Sequence, residues 1–111
     1  MGREDLKQKV LAQIDARRDV YLKLGKEIYE NPETGYREVK TTRILADALE
    51  SLGLETERNI AVTGCRAHGN PGKDGPKVVV MGELDSVVCI DHPDCDKTTG
   101  AVHACGHNIQ T

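Results

Sequence analysis

Tryptophan and phenylalanine are absent from this chain, and tyrosine occurs three times. A core must therefore be assembled from Leu, Ile, Val and Ala, without the large buried areas that aromatic rings supply. The 111 residues suffice for one small domain. A domain of this size buries only about two-thirds of the surface its unfolded chain exposes, so thin stability is expected. Apolar residues make up 38% and charged residues 30% of the chain. The first share is below the usual and the second above it, which points the same way.

Other absences exclude whole classes of function. No apolar run approaches the roughly 20 residues of a membrane span. Met1-Gly2-Arg3-Glu4-Asp5 lacks a basic start followed by an apolar stretch, so no signal peptide is expected. Lys7 lies one place beyond the position where myristoylation needs Ser or Thr, and that modification is not indicated. The net charge of −3 comes with no basic patch, so nucleic acid is not an expected partner. A soluble cytoplasmic protein is the expectation. Its four cysteines, Cys65, Cys89, Cys95 and Cys105, are then expected to stay reduced rather than form a disulfide framework.

What is present reads as two helices followed by strands. Leu6, Val10, Ile14, Tyr21, Leu24 and Ile28 recur at helical spacing, broken only at Arg17, and predict one amphipathic helix from about residue 4 to residue 30. Asn31-Pro32 ends it, because a residue before proline is pushed out of the helical region. Glu33-Thr34-Gly35-Tyr36 is a turn. A second helix is predicted from Glu38 to Leu52, with Ile44, Leu45, Ala48, Leu49 and Leu52 on its apolar face and Gly53 at the C-cap. The period then changes, and Leu54 to Ile60 and Val62 to His68 read as two strands. Residues 69 to 76, rich in Gly and Pro, form a turn segment. Lys77-Val78-Val79-Val80-Met81-Gly82 reads as a strand buried on both faces of a parallel or mixed sheet. Residues 86 to 102 read as a long irregular segment. The order helix, helix, strand, strand, strand predicts an α/β layered domain, only partly built. A central strand without neighbours leaves an open edge, so the isolated chain is expected to be poorly soluble or to associate.

Chemistry is concentrated at two places. Gly82-Glu83-Leu84-Asp85 directly follows the predicted buried strand, and catalytic groups in open α/β sheets gather beyond the carboxyl ends of strands. Two carboxylates at alternate positions there can hold or orient a cation; alternatively they are solvated loop acids. The second place is His103-Ala-Cys-Gly-His107, followed by Asn108. If the segment is extended, Cys105 and His107 point to one side and can grip one ion. Thiolate with imidazole suits zinc or a related first-row metal. The bland alternative makes Cys105 a small buried residue and the histidines polar loop residues. Cys89, His92, Cys95, Cys105 and His107 could together form a structural zinc site, although their spacing matches no paired cysteine knuckle. Cys65 and His68 are expected to be packing and surface residues of a strand.

Taken together, Met81-Gly-Glu-Leu-Asp85 and His103-Ala-Cys-Gly-His-Asn108 resemble the amidohydrolase branch of the metallopeptidase family numbered twenty. That branch includes hippurate, aminobenzoyl-glutamate and indoleacetyl-amino-acid hydrolases. Ile28-Tyr-Glu-Asn-Pro-Glu-Thr-Gly-Tyr-Arg-Glu38 with Thr41-Thr42 resembles the branch's opening, and the likeness covers nearly the whole chain in order. The resemblance implies residues 1–111 to be the N-terminal part of a zinc-peptidase-like layered catalytic domain, with the dimerisation domain and C-terminal half absent. It implies a two-metal site, zinc or manganese, where activated water cleaves the amide of an N-acyl amino acid or dipeptide and a glutamate shuttles the proton. Cys105 and His107 correspond to metal ligands, and Asp85 to the acid that supports the metal site. Glu83 lies where related enzymes outside the branch carry a histidine ligand and receives no role.

By the same resemblance the general-base glutamate, two further histidine ligands and the region that makes full-length members homo-oligomers lie beyond Thr111. The chain alone is therefore expected to be inactive. The alternative from another class is a small non-catalytic zinc- or thiol-binding protein using Cys89, Cys95 and Cys105.

Overall fold

The computed structural model describes residues 1–69, 72 and 74–111. The helical period of the first thirty residues does form helix, but in two pieces, α1 (Arg3–Ala16) and α2 (Arg18–Tyr29). The single helix expected over residues 4 to 30 breaks at Arg17, whose ψ of 10° leaves the helical well. That is the position where the apolar period lapses, so no packing opposes the break. The two pieces then differ in fate. No residue of α1 is buried, and Leu6, Val10 and Ile14 stay about half exposed. Helix α2 buries Gly25 and Ile28. It ends just before Asn31-Pro32, where the Asn31 amide donates to the Glu27 carbonyl at 2.9 Å.

Helix α3 (Val39–Ser51) matches the expected span. Its start is capped from a distance. Glu38, at the N-cap, makes no side-chain cap bond. The Glu33 carboxylate instead accepts from the N–H of Lys40 at 3.1 Å, the N–H of Thr41 at 2.7 Å and the Thr41 hydroxyl at 2.8 Å. These N–H groups are among those a helix start leaves without intrahelical partners. Its end is a Schellman motif. Gly53, at φ 76°, donates to the Glu50 carbonyl at 2.9 Å, and Leu54 donates to Leu49 at 3.4 Å, the pairing expected of a left-handed C-cap. Of the expected apolar face Ile44 is buried, Leu45, Ala48 and Leu49 are half-buried, and Leu52 is exposed.

The two strands expected after α3 form an antiparallel hairpin, β1 (Glu55–Ile60) and β2 (Gly64–His68). The second begins at Gly64 rather than Val62, because Ala61 and Val62 adopt positive φ in the connecting turn. The hairpin packs against α3, and Arg58 reaches back to Asp47 at 2.5 Å and Glu50 at 2.8 Å. Part of the turn segment predicted over residues 69 to 76, namely 70, 71 and 73, lies outside the described residues.

The buried central strand predicted over residues 77 to 82 is not formed. Val78, Val79, Val80 and Met81 are 77 to 94% exposed, and no strand among the described residues lies beside them to pair with their backbone. A strand buried on both faces needs neighbours, and an unpaired segment keeps its backbone groups in water instead. Among the described residues the sheet content is accordingly not one mixed sheet but two separate antiparallel pairs. The second pair is β3 (Val87–Val88) with β4 (Ala101–Val102), inside the segment read as irregular. The loop between them is ordered by Asp96, which accepts from the Thr98 N–H, the Thr99 N–H and the Thr99 hydroxyl at 2.7 to 3.0 Å. Gly100 turns the chain back at φ 73°.

The apolar core is small: Ile28, Ile44, Ala46, Cys95, Ala101 and Val102. The radius of gyration is 16.2 Å, against about 13 Å for a compact domain of this length. A mixed helix and strand class is present, and the core residues come from α2, α3, β4 and the loop that precedes β4.

Candidate functional site

The loop between α2 and α3 fixes the acidic segment. Ser86 donates its N–H to the Glu33 carbonyl at 2.7 Å, and Thr34 and Ser86 form a parallel bridge. Asp85 is thus held by the same loop whose carboxylate caps α3. The second segment ends in α4 (His107–Gln110), a single turn entered through Gly106 at φ 84°. The extended backbone assumed between Cys105 and His107 is therefore absent; the tight turn expected of Gly106 is present. Cys105 is exposed and His107 half-buried, with 20% of its side chain accessible.

These two segments meet at His107. Its Nδ1 lies 2.9 Å from the Asp85 carbonyl and 3.0 Å from Asp85 Oδ1. A carbonyl oxygen can only accept, so Nδ1 carries the proton and donates it. Nε2 then faces the other acid, 3.1 Å from Glu83 Oε2. The bond to the Asp85 carbonyl pushes the imidazole pKa up from its ordinary value; partial desolvation opposes this, and the Glu83 and Asp85 carboxylates add to the rise. Glu83, to which the sequence reading gave no role, is therefore a direct neighbour of His107. The signal for it was a second carboxylate two residues before Asp85 in the same short segment.

His103 behaves differently. It is 5% exposed, and neither ring nitrogen has a hydrogen-bond partner among the described residues. Burial holds its pKa below the ordinary histidine value, with repulsion from His107 adding to the effect and Asp85 opposing it. Ser86, likewise buried with an unpartnered hydroxyl, is next in register to it beyond the Val87–Val102 pair.

The wider cysteine set does not assemble. Among the described residues no three His, Cys, Asp or Glu side chains converge so as to enclose a metal ion. Cys95 is buried with its thiol against the Ile90 carbonyl at 3.4 Å. His92 accepts from the Asp94 N–H at 3.1 Å. Cys65 is half-buried, and His68 is exposed and pairs with Glu57 at 3.0 Å, as expected for packing and surface positions. What the site offers is one oriented imidazole, two carboxylates beside it and an exposed thiol two residues away. The imidazole meets the chemical requirement for a metal ligand. Ligating histidines characteristically donate their second ring N–H to a carboxylate or backbone carbonyl, which fixes the tautomer, and His107 does both through Asp85.

No family model matches the chain, and no solved structure matches it. Curated relatives do. Over 111 residues the chain is 32% identical to thermostable carboxypeptidase 2 of Saccharolobus solfataricus, covering 94% of this chain and 28% of that protein. It is 32% identical over 91 residues to IAA-amino acid hydrolase ILR1-like 4 of Arabidopsis thaliana, covering 79% of this chain and 20% of the relative. Hippurate hydrolase of Campylobacter jejuni is 30% identical over 92 residues, covering 80% and 24%. The chain spans about a quarter of the length of the curated relatives it matches. By these likenesses, which run through most of its sequence, the chain belongs to the amidohydrolase family of these relatives and corresponds to a fragment of their length.

Proposed function

We propose that the chain supplies the Cys105–His107 part of the metal centre of an amidohydrolase that cleaves the amide bond of N-acyl amino acids or dipeptides. The observation that carries this reading is the double hold of Asp85 on His107 Nδ1, which leaves Nε2, beside the Glu83 carboxylate, as the ring nitrogen that can ligate. His107 Nε2 and the exposed Cys105 thiolate would hold the cation, zinc or manganese, and the full site would take two. A divalent cation bound there supplies Lewis-acid polarisation of the scissile carbonyl and a nucleophilic water at neutral pH.

The chain's own residues do the positioning. Asp85 fixes the tautomer and the direction of the imidazole. Glu83, 3.1 Å from Nε2, places negative charge beside the ligand atom, which favours a cation there and holds a proton there when none is bound. Loop 33–34, through Ser86, keeps both acids at the mouth of α4. Family resemblance puts the general base and the remaining histidines beyond these residues, so the chain alone is expected to bind metal without turnover. Cytoplasmic location and assembly of the full protein into homo-oligomers are part of the same reading. No helix is long and apolar enough to cross a membrane among the described residues.

The test is a cobalt titration of the 111-residue chain followed by absorbance. A thiolate-to-cobalt band is expected in the wild type, lost in Cys105→Ser and strongly weakened in His107→Ala. Equal binding by all three proteins would overturn the ligand assignment. Hydrolysis of N-acyl amino acids by the chain above a metal-only blank would overturn its inactivity.

A further inference from the structure

Helix α4 has four residues, far fewer than a helix needs to hold itself in water, yet it carries His107. It is joined to the preceding chain through the left-handed Gly106. Its support comes from two places remote in sequence. On one side the Asn108 side chain, 8% exposed, donates through Nδ2 to the Gly25 carbonyl of α2 at 3.2 Å, across 83 residues. A Cβ on Gly25 would lie 3.4 Å from the Asn108 carbonyl oxygen and 3.5 Å from Ile109 Cδ1. A side chain's first carbon would thus be in ordinary contact with α4, and helix α2 lies directly against the α4 backbone at this position. On the other side a Cβ on Gly82 would lie 2.9 Å from Thr111 Cα, and the Thr111 hydroxyl donates to the Glu83 carbonyl. The turn bearing His107 sits between two glycine backbones.

Gly25 has no local reason to be glycine. It lies inside α2, where glycine costs about 1 kcal/mol relative to alanine, and the backbone there is helical with no positive φ. What it offers α4 is its carbonyl oxygen, which accepts from Asn108 at 3.2 Å. The Asn108 amide is equally specific. Its Nδ2 adds a donor from outside the helix to a carbonyl inside α2. An ionised Asp would set oxygen against oxygen, and a Leu of similar shape would remove the bond between the two helices.

We propose that the Asn108–Gly25 contact is a latch that positions the His107 imidazole against Asp85, so that α2, which carries none of the candidate ligands, sets the geometry at Nε2. Asn108 and Gly25 are positioning residues. The hold on the imidazole follows from the structure alone; its consequence for metal binding rests on the proposed function.

The test uses the 111-residue chain with nitrogen-15 histidine. In the wild type the His107 Nδ1 proton, hydrogen-bonded to Asp85, is expected as a protected downfield resonance. Asn108→Leu and Asn108→Ala are each expected to lose or shift it. Ala46→Gly, which destabilises α3 at a fully buried position, serves as the stability control and is expected to keep it. In a parallel cobalt titration the two latch variants are expected to bind about tenfold more weakly, the scale on which groups behind a ligand act, and Ala46→Gly within twofold of wild type. An unchanged His107 resonance in a folded latch variant overturns the latch, as does equal loss in Ala46→Gly. A wild type that binds no cobalt while the resonance responds as described overturns the metal reading and leaves the latch standing.

Discussion

Asp85 holds His107 twice through one nitrogen, by its backbone carbonyl at 2.9 Å and its carboxylate at 3.0 Å. The two contacts separate on mutation. Asp85→Ala keeps the carbonyl, and with it the tautomer, but removes the charge that makes the imidazole a stronger ligand. Zinc affinity is expected to fall by about 10- to 100-fold, while the far-ultraviolet circular dichroism stays that of the wild type. Competition against a zinc chelator measures it, and an affinity within twofold of wild type would contradict this role.

Glu33 serves two masters, its carboxylate capping α3 and its carbonyl holding Ser86. Glu33→Ala removes the cap and leaves the carbonyl. A loss of about 1 to 2 kcal/mol is expected from urea unfolding, the upper range for a helix cap. Glu33→Gln keeps an acceptor oxygen and should lose less.

Gly53 is a cleaner backbone test. Nothing lies within 4 Å of a Cβ built there, so Gly53→Ala adds no clash and reports only the strain of a left-handed residue. The expected loss is about 1 kcal/mol, measured in the same unfolding experiment, with Gly69→Ala, at an open position of ordinary φ, as the near-neutral control.

The loop joining β3 and β4 makes stability sensitive to acid. The Thr99 N–H, the Thr99 hydroxyl and the Thr98 N–H hold the Asp96 carboxyl below its ordinary pKa. A depressed folded-state pKa contributes stability that is present above the unfolded value and is lost as pH falls through the folded one. The loss is therefore expected below about pH 4. It should be modest, because the carboxylate is exposed. Melting temperatures of wild type and Asp96→Asn between pH 2 and pH 6 test this. The gap between them should narrow as pH falls, and a constant gap would refute it.

Four consecutive exposed apolar residues, Val78 to Met81, should drive self-association of the chain. Val79→Lys places a charge in the middle of the run, a device that natural sheet edges use against pairing. Sedimentation velocity is expected to show association in the wild type and a shift toward monomer in the variant. A monodisperse wild-type monomer would exclude the association.

Local information was enough for much of this chain. The period of apolar residues located α2 and α3. Gly53 marked the end of α3 because only a residue without Cβ takes φ 76° at no cost. The change of period located the hairpin, and the density of Cys, His and acidic residues located the candidate site. Tertiary structure decided what depends on partners. Val78 to Met81 have the composition of a central strand, but burial is a property of neighbours, and none lies beside them among the described residues. The capping of α3 by Glu33 and the closeness of Glu83 to His107 are likewise contacts between separated residues. The seat of Asn108 on Gly25 is the extreme case. Nothing in either local sequence points to the other, because what joins them is one hydrogen bond between residues 83 apart.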